Sequence, residues 1–161
     1  MKWLKSLFKK EESEENIESF VIRQSKHIPT DKVFDAWSSG ELKRMIDAAK
    51  IKTNLVDRHF LLQAIVAETY KLRKDSKYRN LCVSFAEMHL DEFDKIAPAL
   101  KADMGGVLPR VTTFQYYATV LTEQGESEKA ISVCQIAISY GLKNGTKSGF
   151  QGRIERIKKQ N

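Results

Sequence analysis

The side chains best suited to metal binding or nucleophilic chemistry are few and scattered. They are His27, His59 and His89, together with Cys82 and Cys134. Cys82 and His89 stand seven residues apart, about 10 Å along a helix face, which is too far to share a zinc ion without further ligands. Neither cysteine belongs to a CxxC pair and no HExxH occurs. Both cysteines fall within apolar stripes and read as buried small hydrophobes. The segment Gly145–Ser148, GTKS, invites a phosphate-loop reading, but the spacing of GxxxxGK[ST] is missing and a helix, not a strand, precedes it. It reads as a turn followed by a helix cap. Glu87, Asp91, Glu92 and Asp94 read as a solvated acidic helix face. No Ser/His/Asp or Cys/His grouping assembles from local spacing, so the expectation is a chain without catalytic activity, cofactor or metal.

Charge narrows the choice of partner. The net charge of +6 is concentrated at the ends: residues 1–10 hold four lysines and no acid, residues 11–18 hold five glutamates, and residues 141–161 hold six cations and one glutamate. Residues 19–140 keep a net +2, which does not support a basic footprint for nucleic acid across the whole surface. The C-terminal cations Lys143, Lys147, Arg153, Arg156, Lys158 and Lys159 remain as an alternative, a phosphate-binding edge of a nucleic-acid-associated protein. In MKWLKSLFKK, Trp3, Leu4, Leu7 and Phe8 share one side of a helix, the pattern of a partner-binding or interfacial segment. The acidic run that follows would repel anionic lipid, so peripheral membrane contact through residues 1–10 ranks below protein contact. There is no secretory-signal pattern and no run of about 18 apolar residues, so a reducing cytoplasm is the expected compartment.

The elements that must position these residues are helical. Length suits one domain, with residues 1–16 as an amphipathic segment and acidic linker and 17–161 as a single all-α, helical-repeat-like domain of seven or eight helices. A short helix is expected through Ile17, Phe20 and Val21, ended before Pro29. Thr30 is expected to cap a helix carrying Val33, Phe34 and Trp37, and Ser38 or Ser39 the next, with Leu42, Met45, Ile46 and Ala49 inside. Asn54 would cap a long helix reaching Lys74, and Ser76 would start another carrying Leu81, Cys82, Phe85, Met88, His89 and Phe93. Residues 97–109, with two prolines and a glycine pair, read as an irregular connection. At the end, Ser148 caps a closing helix with Phe150, Ile154 and Ile157 on one face.

Between them lies Val111–Asn144. Phe114, Tyr117, Ala118 and Leu121 fall at i, i+3, i+4 and i+7, Gly125 breaks the run, and Ala130, Ile131, Cys134, Ala137 and Ile138 form a second stripe. Two helices joined by so short a turn lie antiparallel. With Gly125 at the turn, this stretch resembles a tetratricopeptide repeat. Phe114, Tyr117, Ala118 and Leu121 take the family's first-helix positions, and Ala130 and Ala137 its two alanines. Residues 54–96 fit as a degenerate copy after a slightly longer turn. The resemblance implies a non-catalytic protein–protein interaction module, an adaptor or scaffold that receives a peptide or partner helix in a concave groove. It places Thr112, Gln115, Thr119, Thr122 and Glu123 on that groove. These positions are polar and almost uncharged, and the basic clamp by which some relatives grip a terminal carboxylate is missing from them.

Overall fold

The computed structural model describes residues 18–161, so the amphipathic segment and linker expected over residues 1–16 lie outside it, as does Ile17. The first described element corrects the sequence reading. Phe20–Arg23 (β1) and Lys26–Pro29 (β2) form an antiparallel hairpin with Phe20 opposite Pro29 and Ile22 opposite His27. Phe20, Val21 and Ile22 are aromatic or β-branched, types that favour extended backbone over helix. Gln24 and Ser25 take φ of 49° and 63°, the two left-handed residues that a two-residue turn between twisted strands requires. Among the described residues the fold is mostly helical, consistent with the expected all-α class, and the short hairpin is its one sheet.

Lys32–Ser39 (α1) is capped by Asp31, whose Oδ1 accepts from Phe34 N at 2.8 Å. Thr30, the expected cap, instead closes the hairpin through its N–H to Ser19 O at 2.8 Å. In Leu42–Ala48 (α2) neither serine caps the helix; Ser39 Oγ accepts from Glu41 N at 3.1 Å, one residue before the first turn. Asn54 caps Leu55–Lys71 (α3) as expected, accepting from Asp57 N at 2.9 Å, although that helix stops short of Lys74.

Ser76–Asp103 (α4) is capped by Asp75 and runs 28 residues, straight through Pro98. The irregular connection expected from residue 97 thus begins only at Met104. Pro98 lies on the exposed side, while Ile96, Ala97, Ala99 and Leu100 are buried around it and anchor the last turns to the core. That burial outweighs the local cost of a missing N–H. The glycine pair makes the true stop: Gly105 and Gly106 have φ of 73° and 94°, and Gly106 N donates to Lys101 O at 2.7 Å.

Thr112–Glu123 (α5), Ser127–Ser139 (α6) and Gly149–Lys159 (α7) complete the order. Gly125, at φ 78°, turns α5 into α6. Phe114, Tyr117, Ala118 and Leu121 are buried, as are Ala130, Cys134 and Ala137; Ile131 is half-buried, and Ile138, expected on the same stripe, is exposed. Met88 of α4 is likewise at the surface rather than inside. The helix α3 packs along α4, α5 lies across both, α6 packs on α5, and α7 closes over α6 with Phe150, Ile154 and Ile157 buried. On the other flank α1 and α2 cover α3. Among the described residues no helix is long and apolar enough to cross a membrane.

Candidate binding groove

The last two turns of α5 and the middle of α7 leave a groove of about 370 Å³ between them. It is lined by Thr119, Thr122 and Glu123 on one side and Arg153, Arg156, Ile157 and Gln160 on the other. The threonines sit there because their hydroxyls satisfy themselves along the helix: Thr119 donates to Gln115 O at 2.8 Å and Thr122 to Ala118 O at 2.7 Å. Each hydroxyl keeps lone pairs for a donor outside. Thr119 Oγ1 uses one, accepting from Arg153 Nη1 at 2.8 Å and tying α7 to α5. Arg153 Nε is buried and has no partner among the described residues. Arg156 Nη1 donates to Ser148 Oγ at 3.2 Å; Ser148 stands at the cap position of α7 but makes no cap bond.

α3 enters the same surface through Arg73. Its Nε and Nη2 each lie 3.0 Å from a carboxylate oxygen of Glu123, a two-point ion pair. The guanidinium sits 3.9 Å from the centre of the Tyr70 ring, and Tyr70 stacks on Tyr116 with centroids 4.2 Å apart. Glu123 therefore brings little free negative charge to the groove, and Arg153 and Arg156 set its sign.

The structure brings together residues from both sets singled out in the sequence. Of the five α5 positions, Thr119, Thr122 and Glu123 line the groove. Thr112 and Gln115 lie nearer the start of α5, where Thr112 N donates to Gln63 Oε1 at 3.1 Å and Gln115 Oε1 accepts from Arg110 Nη2 at 2.8 Å. Of the six C-terminal cations, Arg153 and Arg156 line the groove. Lys143 and Lys147 are exposed in the connection before α7, and Lys158 and Lys159 are exposed in its last turn. Arg73 and Gln160 went unremarked in the sequence. Arg73 left no signal in the sequence, because its meeting with Glu123 depends on how α3 packs against α5.

Two of the three scattered histidines also meet. His59 Nδ1 lies 3.0 Å from His89 Nε2, and His89 Nδ1 lies 2.8 Å from Thr113 Oγ1, a buried chain joining α3, α4 and α5. Burial holds His59 down at about 4 and His89 well below the usual imidazole range. Burial also pushes the Cys82 thiol up and the Cys134 thiol up to about 11, so neither is poised as a thiolate. Among the described residues no three His, Cys, Asp or Glu side chains gather as metal ligands would. At GTKS, Asn144 Oδ1 accepts from Thr146 N at 3.0 Å and from Thr146 Oγ1 at 2.7 Å, closing a turn ahead of α7.

Compared with protein-family models, with curated proteins and with solved structures, the chain has no significant match in any of the three. A functional reading therefore rests on its own geometry.

Proposed function

We propose that the chain is a non-catalytic protein–protein interaction module, an adaptor or scaffold, that receives a peptide or partner helix in the groove between α5 and α7. The observation that carries this reading is the convergence of α3, α5 and α7 on one surface, through Arg73, Thr119, Thr122, Glu123, Arg153 and Arg156. A tetratricopeptide-like arrangement is supported by the two consecutive helix pairs, α3–α4 and α5–α6, with α7 packed on the second. In such arrays the first helix of each pair faces the ligand. An open trough with a mostly apolar lining over Ile157, edged by arginines, suits an extended or helical segment better than a small metabolite.

The alternative, nucleic acid held on the basic C-terminal edge, is less well served. Arg153 and Arg156 face the groove, and the lysines, divided between the two ends of α7, do not line it with them. The deciding experiment is a pull-down with the tagged full chain from native lysate at moderate and high salt, with and without nuclease, read by mass spectrometry. The expected result is a protein partner that survives nuclease and salt and is lost when Thr122→Trp fills the groove. Capture that vanishes with nuclease, or falls roughly tenfold or more between about 50 and 200 mM salt, would overturn the adaptor reading in favour of phosphate binding.

A further inference from the structure

Both walls of the α5–α7 groove are single helix faces. Arg153, Arg156, Ile157 and Gln160 stand at i, i+3, i+4 and i+7 along α7, and Thr119, Thr122 and Glu123 at i, i+3 and i+4 along α5. From Arg153 to Gln160 the trough runs about 10 Å, two turns of a helix laid alongside. Neither arginine forms an ion pair among the described residues. Arg153 bonds Thr119 Oγ1 through Nη1, and its buried Nε has no partner; Arg156, which is exposed, bonds Ser148 Oγ through Nη1 at 3.2 Å. The carboxylate in the lining, Glu123, is already held by Arg73. A guanidinium carries five N–H donors in a fixed fork that matches a carboxylate, so most of the donors here are unspent.

Resting on the reading of this groove as the seat of a protein partner, we propose that the partner is an amphipathic helix that sets one Glu or Asp side chain between Arg153 and Arg156. An apolar residue of the same helix, one turn from that acid, covers Ile157. The charge of the site selects a carboxylate over a phosphate. Thr119, Thr122 and Glu123 lie in the last two turns of α5, and Arg156, Ile157 and Gln160 at the end of α7, so the negative ends of two helix dipoles border the trough. That field opposes a phosphate dianion about twice as strongly as a carboxylate. The lysines that would extend a phosphate track do not line the groove, and neither does a helix N-terminus. Both arginines come from α7, outside the Val111–Asn144 hairpin, so the contact belongs to the closing helix and not to the repeat that the hairpin resembles.

The test selects phage-displayed random peptides of about 16 residues, four helical turns, on the immobilised full chain and keeps those that Thr122→Trp rejects. Synthetic copies with amidated carboxyl ends are then measured by fluorescence anisotropy. The expected result is a shared Glu or Asp three or four residues from an apolar residue. Replacing that acid by its amide should weaken binding at least fivefold to the parent and less than twofold to the double variant Arg153→Gln, Arg156→Gln. Arg156→Gln alone, at an exposed position, should keep the parent melting curve and give an intermediate factor, so a folding defect in the double variant cannot pass for the result. Groove-dependent peptides without a shared acid, equal losses in parent and double variant, or tighter binding when phosphoserine replaces the acid would overturn the proposal and leave the adaptor reading standing. A library yielding no peptide that Thr122→Trp rejects would overturn both.

Discussion

His59 and His89 face each other across the α3–α4 contact with Nδ1 and Nε2 3.0 Å apart, and both rings are buried. The bond holds one proton. If His59 donates it, His89 Nδ1–H donates onward to Thr113 and His59 Nε2 is left as an unpaired acceptor, a cheaper orphan than an unpaired N–H. Either way both imidazoles are neutral in the fold. Burial depresses the folded pKa, from 6.5 to about 4 for His59, so acid protonates the unfolded chain first. The stabilisation is complete above about pH 6.5 and is lost as pH falls from there, at about 1.4 kcal/mol per pH unit for each histidine. Urea denaturation between pH 7.5 and 5 should therefore show stability falling steeply below pH 6.5. His89→Gln, neutral at every pH, should be less stable at pH 7.5 but should lose roughly half of that slope.

Asp57 is the second buried polar junction, and it joins the hairpin to the helices. Its Oδ1 accepts from Arg23 Nη2 at 2.7 Å and from Trp37 Nε1 at 3.2 Å, while Asn54 Nδ2 bonds Oδ2. The carboxylate side chain is 2% exposed and that of Arg23 12%. Asp57→Ala leaves Arg23 Nε and Nη2 and the Trp37 N–H without their acceptor, Arg23 Nη1 keeping only Ile22 O, and should cost about 3 kcal/mol by urea denaturation. Hydrogen exchange should quicken first in residues 20–29, which are tied to the helices by this carboxylate and by Asp103, whose Oδ1 accepts from Gln24 N at 2.7 Å.

The α5–α6 hairpin and α7 were legible because their apolar residues recur at helical period and glycines mark their ends. What stayed hidden was nonlocal. The β-hairpin escaped because Gln24-Ser25 is not a common turn pair, and because the helical spacing of Ile17, Phe20 and Val21 outweighed the strand preference of Phe20, Val21 and Ile22. α4 outran its expected end because Pro98 marks a stop locally while Ile96 and Leu100 hold the helix against the core. In the groove, the α5 residues could be named from one helix, but their meeting with Arg73, Arg153 and Arg156 depends on how three helices stack. The His59–His89 contact spans thirty positions and leaves no local trace.

Cys82 and Cys134 offer a probe of that packing. Both are buried, Cys82 Sγ bonds Val66 O at 3.8 Å, and desolvation raises both thiols above their ordinary range. At pH 8 the folded protein should resist iodoacetamide, and labelling should follow global opening. Labelling at the rate of a free thiol under native conditions would show that α4 or α6 opens locally.

Arg73 and Glu123 bind α3 to the end of α5 through two hydrogen bonds, yet their side chains are 27% and 45% exposed. Water screens the pair, so a double-mutant cycle of Arg73→Ala and Glu123→Ala should return a coupling of about 1 kcal/mol or less. Its effect on binding should be larger than its effect on stability. In the parent, Arg73 neutralises Glu123, and the groove presents the positive edge of Arg153 and Arg156. Removing Arg73 exposes a carboxylate beside those arginines and takes away the cation stacked on Tyr70. If the α5–α7 groove is the binding face, titration calorimetry with the captured partner should show Arg73→Ala weakening the complex several-fold while Glu123→Ala changes it less. Equal losses from both would mean that the ion pair matters only as a clasp between α3 and α5.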